Sequence, residues 1–270
     1  MEEQSDKKNF FWIPQTAKSR KDFLIKQEKT FELHETGSSQ TIKFKNSTYF
    51  YSSSIIPRRY LYLFQDIKKH VSKRILTKKD IPDISQIKPF YFKFNSMTLE
   101  PGECITFDQV AQYDINKAYY TAALNLGYIS QEYYDKYINL PKQIRLILIG
   151  ALATKKIKVL YAAGEKQEPE TIEDKNLRSV FKHLVVHVDK VLMEVSQALK
   201  NDFLFYWVDG VCVKDTKQAH DVIAYYSSKY KLDFSYEKLN FVEFQQEETL
   251  KAIVNTGTKI KEFQNRKIHV

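Results

Sequence analysis

The chain has 270 residues, of which 43% are hydrophobic and 14% aromatic, so it can bury one large core or two small ones. No apolar run reaches the roughly 18 residues of a membrane-spanning helix, and the first residues lack the apolar stretch of a signal peptide, so we expect a cytoplasmic protein without a membrane partner. The 42 Lys and Arg residues outnumber the 33 Asp and Glu residues, and the resulting net charge of +9 favours an anionic partner.

The excess of positive charge is concentrated in residues 58–93, which contain ten basic and three acidic residues. A helix is predicted over residues 64–76, because Ile67, Val71 and Ile75 recur at helical spacing beside its lysines. A basic helix attracts a polyanion such as nucleic acid, although the pattern is also typical of a solvated helix face. The candidate nucleic-acid-binding residues are Arg58, Arg59, Lys68, Lys69, Lys73, Arg74, Lys78 and Lys79.

The other elements are predicted from periodicity and turn residues. In chain order they are a short strand at 90–94, a strand at 105–115, a helix at 116–126 closed by Gly127, a helix from Pro141 to about residue 160, a long helix from Thr171 to residue 201, a hairpin at 203–214 that turns at Asp209-Gly210, a helix from Asp215 or Thr216 to Tyr230, and strands at 232–236 and 240–244. This order predicts an α+β fold, with helices on one face of an antiparallel sheet.

Two aspartates occupy positions where chemistry is expected. Asp114 ends the predicted strand at 105–115, and Asp209 lies at the tip of the hairpin. If both strands are central in one sheet, the carboxylates meet at its edge, and carboxylate oxygens are the ligands that Mg²⁺ or Mn²⁺ takes together with substrate phosphates. Each residue alone has a simpler interpretation, since Asp often caps a helix and Asp-Gly often forms a turn.

The residues around both aspartates resemble two motifs of family B DNA polymerases, especially the protein-primed type of phages and linear plasmids. The run Tyr-Asp-Ile-Asn-Lys-Ala-Tyr-Tyr at 113–120 is similar to the family's Asp-x-Asn-Ser-Leu-Tyr-Pro motif, with Asp114, Asn116 and Tyr119 in register. The run Tyr-Trp-Val-Asp-Gly-Val at 206–211 is similar to its Asp-Thr-Asp-Ser hairpin, with Asp209 at the second aspartate and Trp207 at the first. The likeness extends over residues 105–245.

The resemblance implies a polymerase-like palm and a role for each matching residue. Asp114 and Asp209 would be the catalytic residues and the ligands of Mg²⁺ or Mn²⁺. Asn116 and Tyr119 would bind the nucleotide, and Tyr119 would exclude a 2′-hydroxyl. Cations in the place of the fingers helix would bind the triphosphate, and the candidates are Lys142, Arg145, Lys155 and Lys156. The implied partners are DNA, nucleoside triphosphates, and a replication or priming protein that supplies missing functions.

The predicted domains follow from the same resemblance. A basic N-terminal extension at 1–104 precedes a palm at 105–245, which contains a minimal fingers insertion at about 128–170. Residues 246–270 would be the remnant of a thumb or a tail, and no exonuclease is recognised ahead of the palm. His183 and His187, four residues apart, have the spacing of a metal site, but a structural role is favoured in the absence of a third ligand.

The predicted activity is that of a nucleotidyltransferase, which extends a primer 3′-end or a protein hydroxyl with nucleoside triphosphates by a two-metal mechanism. One alternative is a catalytically inactive relative that acts as a nucleic-acid-binding or replication-partner module, as Trp207 and the poor fingers motif suggest. Another is a basic binding protein without a palm, in which both short motifs are coincidences.

Overall fold

The structure, a computed structural model, describes residues 9–12, 17–36, 39–52, 60–77 and 92–264. These residues contain seven α-helices: α1 (Ala17–Lys26), α2 (Leu61–Thr77), α3 (Ala118–Asn125), α4 (Gln131–Tyr137), α5 (Lys142–Gly150), α6 (Lys175–Leu199) and α7 (Lys217–Tyr230). None of these helices is both long and apolar enough to cross a membrane. The predicted basic helix is confirmed as α2, in which Leu63, Ile67 and Val71 are buried.

The same residues contain sixteen strands: β1 (Asn9–Trp12), β2 (Phe31–Thr36), β3 (Ser39–Phe44), β4 (Ser47–Ser52), β5 (Phe92–Phe94), β6 (Cys104–Phe107), β7 (Val110–Ile115), β8 (Lys155–Ala162), β9 (Glu165–Lys166), β10 (Glu170–Glu173), β11 (Phe203–Trp207), β12 (Gly210–Lys214), β13 (Phe234–Leu239), β14 (Phe241–Gln246), β15 (Leu250–Asn255) and β16 (Ile260–Gln264). They form three sheets, which are antiparallel except for the parallel pair β1 and β4. The predicted α+β class is confirmed.

The chain divides into two compact units, one of Met1–Ile81 with Asn139–Phe181 and the other of Pro82–Ile138 with Lys182–Val270. This division differs from the predicted domains, because most of the predicted fingers insertion belongs to the unit of the N-terminal strands, where β8 pairs with β2. The predicted C-terminal remnant also differs, because β15 and β16 complete a sheet of the second unit.

The first unit is built on a seven-stranded sheet in the order β1-β4-β3-β2-β8-β10, with β9 also paired to β8. Alternate residues of its central strands are buried, among them Leu33, Ile42 and Val159, and Leu24 of α1 is buried with them. This period of two explains why the predicted helix from Pro141 to residue 160 is wrong: α5 ends at Gly150, and β8 follows.

The predicted start of the long helix is also wrong. Thr171 lies in β10, which pairs with β8, and α6 begins only at Lys175. The Oδ1 atom of Asp174 accepts a hydrogen bond from the backbone N–H of Leu177 at 3.0 Å, which is the interaction of a helix N-cap. The cap therefore lies three residues after the predicted start.

The second unit contains a five-stranded sheet in the order β13-β7-β12-β11-β5. Tyr113 and Tyr206 lie on the same face of it, since both align with Val211 across the strands. The Tyr206 hydroxyl donates to Oδ1 of Asp189 in α6 at 3.0 Å, and the Tyr113 hydroxyl shares a short hydrogen bond with His220 in α7. Two helices therefore contact one face of this sheet, as expected.

The opposite face of the five-stranded sheet packs against a four-stranded sheet in the order β16-β15-β14-β6. Phe205 of β11 contacts both Phe244 and Phe263 of that sheet. The predicted single strand at 105–115 is wrong, because a bend at Asp108 and Gln109 separates β6 in one sheet from β7 in the other. The hairpin of β11 and β12 and the helix after Thr216 are confirmed.

We predict that Tyr206→Phe lowers the free energy of unfolding by about 1–3 kcal/mol, because the buried Asp189 carboxyl loses a donor. Urea denaturation measures the change. Tyr236→Phe is the control, because its hydroxyl donates to Asp215 at 3.0 Å from a half-exposed side chain and its loss should cost less than about 0.5 kcal/mol. Equal losses for the two variants would contradict the importance of the buried contact.

Candidate active site

The two predicted motifs meet in the five-stranded sheet. Asp114 of β7 is the partner of Gly210 of β12, and the backbone N–H of Ile115 donates to the carbonyl oxygen of Asp209 at 2.8 Å. Adjacent strands are about 4.8 Å apart, so both aspartates lie at the same end of neighbouring strands. Each is partly buried. The sequence prediction that two distant carboxylates share one sheet edge is consistent with this register.

A glycine is required at position 210 because the neighbouring side chains leave no space for a Cβ atom. It does not have a positive φ, but a Cβ atom on it would overlap Oδ1 of Asp114 and would lie 3.2 Å from Cζ2 of Trp207. The Asp114 carboxylate and the Trp207 indole therefore both lie against the bare backbone of Gly210. The predicted turn at Asp209-Gly210 is not the reason for this glycine; the reason is the close approach of a side chain from the next strand.

The turn of the hairpin lies one residue earlier than predicted. Trp207 pairs with Gly210, so Val208 and Asp209 form the turn in place of Asp209 and Gly210. Val208 has a φ of 48°, in the left-handed region that β-branched residues rarely adopt. Such a conformation costs about 1–3 kcal/mol and persists only where the surrounding structure imposes it.

Gln112 is a residue of this site that the motif comparison missed. Side chains two residues apart on a strand share a face, and Nε2 of Gln112 donates to Oδ2 of Asp114 at 2.5 Å. Gln112 is only 2% exposed, and its Oε1 has no hydrogen-bond partner. Ser235 of β13 also holds this strand end, since its hydroxyl donates to the Asp114 carbonyl oxygen at 3.1 Å. The period of two could have revealed Gln112.

Cys212 of β12 is the partner of Gln112 and is fully buried beside it. Burial raises the pKa of the Cys212 thiol, and the nearby Asp114 carboxylate raises it further. On the other face of β7, burial and the charge of Asp215 raise the pKa of Tyr113 to about 12. Both groups are therefore neutral at physiological pH.

Asn116 and Tyr119 follow Asp114 at the exposed end of β7. The side chain of Asn116 donates to Oδ2 of Asp233 at 2.7 Å, and its backbone N–H donates to the Asp233 carbonyl oxygen at 2.7 Å. Lys117 takes a left-handed conformation, with φ of 55°, from which α3 begins. Tyr119 is partly exposed in the first turn of α3. Tyr119 thus lies one helical turn after the end of β7. Asn116 connects that end of β7 to Asp233, the residue that precedes β13.

The predicted triphosphate-binding residues belong to the first unit, and the structure brings two of them into local contacts. Arg145 donates to the Leu140 carbonyl oxygen at 2.5 Å, and the Lys155 ammonium lies 3.8 Å from the Glu173 carboxylate. Lys142 is exposed at the start of α5, and no hydrogen bond or ion pair joins its side chain to another described residue.

Half of the predicted nucleic-acid-binding residues lie on α2. Lys69 and Lys73 are exposed and four residues apart, so they share one face of the helix. Lys68 is partly buried, and this burial, together with the charge of Lys156, lowers its pKa. Arg74 is also partly buried. The remaining candidates lie outside the described residues: Arg58, Arg59, Lys78 and Lys79.

His183 and His187 have separate contacts. Nδ1 of His183 lies 2.7 Å from the Tyr128 hydroxyl, and the His187 ring packs edge-on against Tyr230. Burial lowers the pKa of His187. In the part of the chain that the structure describes, no three His, Cys, Asp or Glu side chains are grouped to hold a metal ion. The structural role of both histidines is favoured.

Comparison with known protein families and with curated proteins finds no match for this chain.

We predict that Gly210→Ala destabilises the protein by about 1–3 kcal/mol, because the new methyl group must displace the Asp114 carboxylate or the hairpin. The control is Gly150→Ala in α5, where a Cβ meets no atom within 4 Å and alanine should stabilise the helix by up to about 1 kcal/mol. Thermal and urea unfolding measure both changes. A neutral Gly210→Ala would show that the close approach does not exist in solution.

Proposed function

We propose that this protein is a polymerase-like nucleotidyltransferase, which extends a nucleic acid 3′-end or a protein hydroxyl with nucleoside triphosphates. The observation that carries the proposal is the juxtaposition of Asp114 and Asp209, which the hydrogen bond from Ile115 to Asp209 brings to one end of adjacent strands. Both residues belong to motifs that resemble those of family B polymerases. They occur along the chain in the order that the resemblance implies.

The donor set fits Mg²⁺ or Mn²⁺. Hard divalent ions in phosphoryl-transfer sites commonly take one or two protein carboxylates and complete their coordination with substrate phosphates and water, so a third acidic side chain is not needed. The absence of a Cβ at Gly210 leaves the space that the Asp114 carboxylate occupies. When bound, a pair of such ions supplies activation of the attacking hydroxyl and neutralisation of the phosphate charge.

The residues around the carboxylates would bind and orient the substrate. Tyr119, partly exposed in the first turn of α3, would contact the sugar of the incoming nucleotide. The triphosphate role of Lys142, Arg145 and Lys155 stays a prediction from the resemblance. The exposed lysines of α2 would bind the phosphate backbone, with DNA as the proposed nucleic acid.

One observation favours the alternative of a catalytically silent module that binds nucleic acid or a replication partner. Trp207 stands where the resembling hairpin has its first aspartate, and its indole packs against Phe263 with a ring-centroid distance of 4.3 Å. An apolar ring therefore borders Asp114 on the side where the family has a second acidic group. The same incorporation assay separates the two functions.

We predict that Asp114→Asn and Asp209→Asn each abolish incorporation of labelled deoxynucleotides into a primed template in the presence of Mg²⁺ or Mn²⁺, a loss of at least about 10³-fold. Asp221→Asn, a charge-matched change on the exposed surface of α7, should retain the wild-type rate. The assay includes a protein-only reaction, which reports transfer to a protein hydroxyl. Incorporation that survives both site substitutions would refute the assignment, and a wild-type protein that binds DNA without incorporation would support the silent module.

The exposed lysines of α2 provide a separate prediction. The double variant Lys69→Gln, Lys73→Gln should bind DNA more weakly, and the slope of log K against log salt concentration should become shallower by about 2, because two phosphate contacts are lost. Fluorescence anisotropy over a series of salt concentrations measures both quantities. Lys26→Gln with Lys29→Gln, an equally exposed pair at the end of α1, is the control and should leave the slope unchanged.

A further inference from the structure

We propose that Gln112 is a positioning residue, whose amide holds the Asp114 carboxylate in the orientation that binds a divalent cation. This role rests on the proposed function, because it concerns the same carboxylate. It adds a residue that neither polymerase-like motif contains.

The position of Gln112 is unusual for a polar side chain. It lies in the centre of β7, opposite Cys212 on one side and Glu237 on the other, and it is 2% exposed. Val110, two residues earlier on the same face, belongs to the apolar core between the two sheets of this unit. An apolar side chain of similar length would satisfy this environment better, since glutamine is rarely fully buried.

The amide of Gln112 uses only part of its hydrogen-bonding capacity. Nε2 donates to Oδ2 of Asp114 at 2.5 Å, whereas Oε1 is buried and has no hydrogen-bond partner. A buried acceptor without a partner costs free energy of folding, so this glutamine is not explained by stability. The contact that remains to explain it is the one with Asp114.

That contact restrains one oxygen of the carboxylate. Oδ2 is held by Gln112, while Oδ1 lies over the bare backbone of Gly210. The planar carboxylate is thereby fixed in rotation, with one oxygen directed towards the hairpin that carries Asp209. Groups that orient a metal-binding side chain in this way typically contribute about 10- to 100-fold to metal affinity.

The indole of Trp207 provides a readout of cation binding that does not depend on catalysis. It borders the same glycine backbone as the Asp114 carboxylate, so bound Mn²⁺, which is paramagnetic, should quench its fluorescence. The chain has two tryptophans, and Trp12→Phe removes the other one. Mn²⁺ titrations in this background therefore report on the site.

The test compares Gln112→Met with Gln245→Met, both in the Trp12→Phe background. Gln245 donates to Glu243 on β14, a matched glutamine–carboxylate pair two residues apart on a strand outside the site. We expect Gln112→Met to raise the Kd for Mn²⁺ by about 10- to 100-fold and to leave the urea midpoint of the metal-free protein unchanged or higher. Gln245→Met should leave the Kd unchanged.

The other outcomes overturn the inference in distinguishable ways. An unchanged Kd in Gln112→Met refutes the positioning role alone, and so does a raised Kd accompanied by a lowered urea midpoint, which indicates a structural role. A parent protein without saturable quenching refutes the divalent site and, with it, both the proposed function and the role of Gln112. Saturable quenching without nucleotide incorporation refutes the proposed activity and leaves the positioning role standing.

Discussion

The hydrogen bond between the Ile115 amide and the Asp209 carbonyl oxygen joins two motifs that are far apart in the chain, and the rest of the candidate site depends on it. It places β7 against β12 in a single register, with Asp114 facing Gly210. Because side chains alternate between the faces of a sheet, a shift of one residue would turn Asp114 towards the helices and Ile115 into its place. The site therefore requires this register.

The two faces of the five-stranded sheet make different contacts. On the helix face, the Tyr113 and Tyr206 hydroxyls bond to His220 and Asp189, so these buried polar groups anchor the central strands to α7 and α6. On the other face, Val110 at the start of β7 belongs to the apolar core between the two sheets. Gln112, two residues further along the same face, is polar and buried. The hydrogen bonds on one face thus hold the strands whose other face carries the polar groups.

Trp207 is the residue at which the candidate site departs from the motif that it resembles. In place of an acidic side chain, the hairpin presents an indole that stacks on Phe205 and packs on Phe263. This aromatic contact ties the hairpin to the four-stranded sheet and borders the carboxylate with apolar surface. In such surroundings the charge on Asp114 would interact more strongly with the proposed cation than it would in water.

The sequence by itself determined the α+β class, the basic helix α2, the hairpin and the candidate pair Asp114 and Asp209, because these depend on local periodicity, turn residues and short motifs. It did not determine that β8 and β10 are strands, since β8 is held between β2 and β10 by pairing with both. Only the tertiary structure decided why residue 210 is a glycine and that Gln112 is fully buried. Both follow from the packing of strands that are distant in the chain, and contacts between distant segments leave no periodic pattern in a sequence.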